Sequence, residues 1–274
     1  MRLRNRIKKV SEETGIPPDV TLHMYVMERF IARLAMSDYR DRFVLKGGFL
    51  LYARHGLRNR TTSDIDLTSK TESVEQKELR GIIDEICSID ADDDLDISLK
   101  RMSPIAEMLE HPGVRAFLVA RFTIEEHFYV DVVPSPVIVP DEIEESIPSM
   151  FDDEPISVMA YRTETVIAEK LHAALTRKET NTRMRDFYDF YVLEHEHAFD
   201  DALLRDAAQH LFSERGTLHE LENGEMTIDT VRRSPFILEH WKQYCGSHGY
   251  AADLSFDECC ESALRLLAHI KNNM

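Results

Sequence analysis

The stretch that most constrains this chain is FVLKGGFLLYARHGLRNRTTSDIDL, residues 43–67. A short apolar run ends at Lys46 and meets two adjacent glycines, Gly47 and Gly48. Without Cβ atoms, such a pair lets the backbone turn sharply and approach a bound group closely. The following GGFLLYARHG reads as a short helix closed by Gly56, and SDIDLTS as a strand. On that strand Ile65 and Leu67 point to one side and Asp64 and Asp66 to the other. Arg54 lies near the end of that helix, and between helix and strand come Arg58 and Arg60 and the hydroxyls of Thr61, Thr62 and Ser63.

Two carboxylates on one strand face are about 7 Å apart and repel each other. A divalent cation turns that repulsion into attraction, and hard oxygen ligands of this kind suit magnesium shared with substrate phosphates. Asp131 strengthens the pattern. It is the single acid in FYVDVV, an otherwise apolar strand, where an ionised carboxylate is costly unless paired or metal-bound. Three such carboxylates near one another would hold two metals, the arrangement used in phosphoryl transfer.

These residues resemble the signature of the AbiEii/MenT-type nucleotidyltransferase toxins, within the DNA-polymerase-β-like nucleotidyltransferase superfamily. TVIAEKLHAALTR (165–177) and RMRDFYDFY (183–191) resemble the C-terminal motifs of that family. The resemblance runs from about residue 25 to 195. It implies an α+β fold: a minimal polymerase-β-like nucleotidyltransferase domain with a mixed sheet, joined to a helical C-terminal domain. It implies Asp64, Asp66 and Asp131 as catalytic metal ligands for Mg2+, with Lys170 and Asp186 as further catalytic positions. Lys46, Gly47, Gly48, Thr62, Ser63, Lys170, Arg183 and Arg185 form the expected nucleotide-binding set. Phe49 departs from the pattern, because many relatives carry a small hydroxyl residue after the glycines. The implied activity is transfer of an NMP unit from an NTP to an RNA acceptor, the tRNA 3′ end, which would block translation. The implied partners are NTP, tRNA and a cognate antitoxin protein.

The rest of the chain sets the frame. It has 274 residues, 43% of them hydrophobic, enough for a packed core. The domains are expected at 1–40 (N-terminal helices packing on the catalytic domain), 41–155 (the α/β domain) and 156–274 (helical). Residues 3–35 could pass for a helix-turn-helix, but the signal is weak and packing helices are the preferred reading. Residues 19–37 and 71–88 have helical periodicity, LDISLKRM, VRAFLVARFTI and HFYVDVVPS read as strands, and Glu125-Glu126 as a hairpin turn. From about residue 155 the pattern is helical, clearest at 164–178, 183–197 and 255–271.

The net charge of −17 argues against a general nucleic-acid coat. Basic stretches at 2–9, 54–60 and 176–185 still allow a local basic site. The basic N-terminal stretch has no apolar run of a secretory signal, and no run reaches membrane-span length, so a cytoplasmic protein without membrane partner is expected. Cys87, Cys245, Cys259 and Cys260 lack zinc-like spacing and read as free thiols. DADDDLDISLKR (90–101) begins like a calcium loop but has Leu95 at the turn-glycine position and Arg101 at the closing-Glu position. HEH (195–197) reads as a solvated helix end.

On the second helical motif, Arg185–Asp189 and Arg183–Asp186 pairs are expected along the helix, and Lys170 lies at the edge of an apolar stripe. Two rival functions stand beside the leading one. One is nucleotidyl transfer to a small molecule or protein. The other is a DNA-binding regulator carrying a non-catalytic version of the fold, against which the intact carboxylate set speaks.

Overall fold

Pro17 and Pro18 start the longest helix, since proline is preorganised for the first helical turn and has no N–H to leave unpaired. In the computed structural model, which describes residues 3–56, 61–105, 113–152, 154–196 and 198–271, the chain forms two compact units. The first comprises Met1–Ile138 and Glu142–Ala160, the second Val139–Asp141 and Tyr161–Met274.

In the first unit, helices α1 (Leu3–Thr14) and α2 (Pro18–Met36) precede β1 (Phe43–Lys46) and α3 (Gly47–His55). Then come β2 (Asp64–Ser69), α4 (Gln76–Ser88), β3 (Asp96–Ile105), β4 (Gly113–Arg121), β5 (Glu125–Pro134), β6 (Ile143–Ile147) and β7 (Ile156–Ala160). The strands form one mixed sheet in the order β3-β4-β5-β2-β1-β7-β6. The pairs β2–β5 and β1–β7 are parallel, and the others are antiparallel. Strand β5 shows why the sheet has two unlike faces. Phe128, Val130 and Val132 are fully buried, and Phe128 meets Phe30 of α2 edge to face at 6.0 Å. Their neighbours Glu125, His127, Tyr129 and Asp131 alternate to the other side, where solvent reaches them. Burying each such apolar side chain contributes roughly 1.5–3 kcal/mol.

Helix α2 also buries charge. Glu28, Arg29 and Arg33 are at most 5% exposed. Arg33 donates to both oxygens of Asp93 at 2.6 and 2.7 Å, and to the Leu95 carbonyl. The acidic 90–96 stretch is therefore a loop pinned by arginine. Asp92 and Asp94 there take positive φ, a conformation that Asp tolerates better than most residues.

The second unit is helical: α5 (Thr163–Arg177), α6 (Met184–Glu196), α7 (Asp201–Glu214), α8 (Leu218–Glu222), α9 (Gly224–Arg232), α10 (Pro235–Ser247) and α11 (Phe256–Lys271). Ile167, Leu171, Ala174 and Leu175 form the buried stripe of α5. Phe187 of α6 packs on Phe256 of α11 with ring centroids 4.9 Å apart.

Several expectations need correction. Helical structure does not begin at residue 155: Ile156–Ala160 is a strand, held by pairing with β6 and, at Leu45↔Ala160, with β1. A five-residue strand bounded by Pro155 and acidic sequence gives no periodicity long enough to read. Glu125 and Glu126 lie inside β5, and the turn falls just before them, where the Phe122 N–H bonds the Ile124 carbonyl. Residues 71–75 precede α4 rather than join it. The four cysteines are free, as expected. No helix among the described residues is long and apolar enough to cross a membrane.

Candidate active site

Strand register brings together what the sequence holds 65 residues apart. In β2 and β5, Asp66 pairs with Asp131 and Asp64 with Tyr129. On the other side of β2, Asp66 faces Lys46, and on the far side of β5, Asp131 faces Arg115. One row across four strands therefore reads Lys46, Asp66, Asp131, Arg115, with Asp64 two residues along β2 on the same face. One oxygen from each of Asp64, Asp66 and Asp131 lies within 4.8 Å of the others, and all three residues are half-buried.

Gly47 is fixed by this arrangement. Its φ of +64° is left-handed, and a Cβ built there would lie 2.0 Å from Asp66 Oδ2. The glycine is thus required twice: for its conformation and because the Asp66 carboxylate occupies the space a side chain would need. Helix α3 starts at this point, so its unpaired first-turn N–H groups gather beside the carboxylates, a place suited to phosphate. Lys46 is the residue before the helix and is extended. Phe49, the departure from the family pattern, is fully buried against Tyr52 and offers no polar group to a bound phosphate.

Neighbouring residues orient the acids. Thr62 Oγ1 donates to Asp64 Oδ1 at 2.9 Å. His23 of α2 contacts Glu126 at 2.7 Å through Nδ1 and the Ser63 carbonyl at 3.3 Å through Nε2, bracing the start of β2. Burial alone would lower the His23 pKa, but the hydrogen bonds to Glu126 and Ser63 outweigh it and raise the value. Arg115 donates through Nε and Nη2 to the two oxygens of Asp131, both at 2.7 Å. That bidentate bond raises the guanidinium pKa further.

The donor set fits a divalent cation. Three carboxylates within 4.8 Å of one another carry three negative charges against one guanidinium ion pair. All donors are hard oxygens, and Gly47 leaves no side chain over them. Asp64, Asp66 and Asp131 are the residues that would hold the metal.

In the second unit, Lys170 Nζ lies 2.8 Å from Asp186 and 2.6 Å from Asp189, all three largely buried. This replaces the expected pairing along α6: the acids turn toward the lysine of α5, and Arg183 and Arg185 make no ion pair among the described residues. Asn181 Oδ1 accepts from the Arg183 N–H at 2.9 Å and shapes the start of α6. Arg58 and Arg60 lie outside the described residues.

The sequence reading did not single out Arg115 or Tyr129. A signal for the arginine existed. GVRAFLVAR has one charge in the interior of an apolar strand, the counterpart of the lone acid in FYVDVV, but which two strands pair is a tertiary fact.

A mixed sheet with three converging carboxylates beside a glycine-started helix defines an enzyme suited to phosphoryl-transfer chemistry. Comparison with known proteins narrows the class. The family described as "Nucleotidyl transferase AbiEii toxin, Type IV TA system" matches residues 29–262, and the chain belongs to that family. Among solved structures it is similar to MenT4, a nucleotidyltransferase toxin from Mycobacterium tuberculosis H37Rv, with a TM-score of 0.57 and 15% sequence identity over 98% of this chain and 99% of that one. At such identity the likeness is one of fold. A search of curated proteins found no significant match.

Proposed function

We propose that this nucleotidyltransferase toxin uses Mg2+ to move an NMP unit from an NTP to the 3′ end of tRNA and thereby blocks translation. The observation that carries the reading is the convergence of Asp64, Asp66 and Asp131 within 4.8 Å, with the start of α3 beside Asp66. The acceptor 3′ oxygen attacks the α-phosphorus and forms a new P–O bond. The bond from that phosphorus to the bridging oxygen breaks, and pyrophosphate leaves. The backbone N–H groups at Gly47 and Gly48 hold phosphate oxygens, and Lys46 adds positive charge to the same end of the row. Thr62 keeps Asp64 oriented. Asp131, on the other end, aims the acceptor hydroxyl and takes its proton. When bound, divalent cations supply charge neutralisation at the reacting phosphate oxygens.

Ser63 belongs to the same proposed nucleotide-binding set. From the second unit we assign Lys170 and Asp186, and Arg183 and Arg185, which make no ion pair among the described residues, to nucleotide or RNA phosphate contact. Lys170→Ala should impair NTP use more than Lys77→Ala on the exposed start of α4, and equal kinetics would make Lys170 a purely structural hub. The cognate antitoxin is the protein partner that membership of a toxin–antitoxin family implies.

The test is incubation of the full chain with total tRNA and each labelled NTP in turn. Asp64→Asn and Asp66→Asn should each lower transfer by at least about a hundredfold while the fold persists, because charge stabilisation dominates this chemistry. Labelling that is equal in the variants would remove the metal-site assignment. Transfer only to a protein or small molecule would replace the acceptor.

A further inference from the structure

The row beside the carboxylates runs on across the sheet. Asp64 pairs with Tyr129, Tyr129 with Phe117, and Phe117 with Arg101, one residue from each of β2, β5, β4 and β3. Their side chains form a continuous stack on the solvent-facing side. Arg101 lies over the Phe117 ring at 3.4 Å, Phe117 meets Tyr129 edge to face at 5.1 Å, and Arg115 lies 5.3 Å from the Tyr129 ring. Tyr129 is 36% exposed although tyrosine could have been buried in this sheet. Arg101 is exposed and makes no ion pair among the described residues. The acids of this face already have partners: Asp131 has Arg115, and Glu125 and Asp96 have Arg121. Arg121 is shared between Glu125 and Asp96, so Arg101 is the one cation of the stack that makes no ion pair among the described residues, and it sits at the edge away from the carboxylates.

Its position gives it direction. The proposed phosphate end of the site lies on the β1 side of the carboxylates, at Lys46 and Gly47. The stack begins on the opposite side, one strand from Asp64, and crosses two strand spacings of about 4.8 Å each. Open sheets with exposed aromatics hold single-stranded RNA in this manner, one or more bases lying on the rings and arginine meeting phosphate.

We propose that this face seats the acceptor: the terminal base of a single-stranded RNA 3′ end stacks on Tyr129, and Arg101, carried over the Phe117 ring, meets the backbone phosphate behind it. The proposal rests on the reading of the acceptor as RNA and adds where its end lies. It also gives Arg115 a second task, since the same guanidinium fixes Asp131 and borders the ring on which the last base lies.

The experiment measures binding of a fluorescent single-stranded RNA oligonucleotide to the full chain, KM and kcat for total tRNA, and NTP affinity. Tyr129→Ala should weaken RNA binding and raise the tRNA KM by about tenfold or more, the scale of losing one base stack, and Phe117→Ala should do so to a lesser degree by removing the ring that carries Arg101. NTP affinity should stay within about twofold, as should RNA binding by Tyr129→Phe and Phe117→Tyr, which keep the ring. Arg101→Gln, at an exposed position, should weaken RNA binding and flatten its salt dependence. Wild-type RNA binding and KM in Tyr129→Ala and Phe117→Ala would overturn the seat while leaving nucleotidyl transfer intact. Equal losses of NTP and RNA binding in the alanine variants would also overturn it, reducing the stack to a prop for the strands. A wild-type chain that transfers NMP but binds no RNA would overturn the acceptor reading itself, and the seat with it.

Discussion

Gly47 and Asp66 illustrate what single residues decide. Gly15 and Gly47 share a left-handed φ, +76° and +64°, yet a Cβ on Gly15 meets nothing within 4 Å while one on Gly47 strikes the Asp66 carboxylate. Gly15→Ala should therefore cost only the conformational strain of an L-residue, about 1–2 kcal/mol, with transfer unchanged. Gly47→Ala carries the same strain and also displaces Asp66, so transfer should fall by about a hundredfold or more. Assays and urea melts of the two variants, side by side, check this; matched activities would mean Asp66 has no catalytic part. Arg115 supports a metal-site test that does not rely on turnover. Removing its guanidinium in Arg115→Gln leaves three neighbouring carboxylates to repel one another. The variant should melt lower than wild type in EDTA and gain more in melting temperature from added Mg2+. Equal Mg2+ responses would argue against a cation among Asp64, Asp66 and Asp131.

At the scale of an element, α2 is both core helix and charge carrier. Glu28 accepts from the Met150 N–H at 2.9 Å and from Ser149 Oγ at 3.0 Å, with Arg29 3.8 Å away. Burial, which penalises the carboxylate, nevertheless dominates and pushes its pKa up to about 7. A raised carboxyl pKa means the folded chain binds the proton more tightly than the unfolded one. Its contribution is fully present below about pH 4.5 and is lost as pH rises toward 7, with a slope of up to about 1.4 kcal/mol per pH unit. Glu28→Gln cannot titrate, so wild type minus variant should show that loss in urea midpoints between pH 4.5 and 7.5. Parallel pH profiles would assign Glu28 an ordinary pKa. The apolar face of α2 was readable from its spacing. Its buried Glu28, Arg29 and Arg33 were not, because their partners Ser149, Asp152 and Asp93 are distant in sequence.

For the whole molecule, the consequence of the proposed chemistry is growth arrest when the chain is expressed without its antitoxin. Sequencing of tRNA 3′ ends should reveal added nucleotides in cells expressing wild type and none with Asp64→Asn. Unaltered ends in arrested cells would rule out tRNA as the target. The sequence by itself determined the local pieces: a glycine turn before a helix, Asp-x-Asp on one strand face, a lone acid in an apolar strand, and amphipathic helices after residue 163. These are legible because helix and strand periodicities and glycine's conformational range act over a few residues. The resemblance in 43–67 then supplied family and fold together. Tertiary structure alone decided the strand order β5-β2-β1-β7, the Asp66↔Asp131 and Asp131↔Arg115 registers, and the burial of Lys170 between Asp186 and Asp189. Such partners are chosen by which apolar faces can be buried together across tens of residues, and no local pattern encodes that choice.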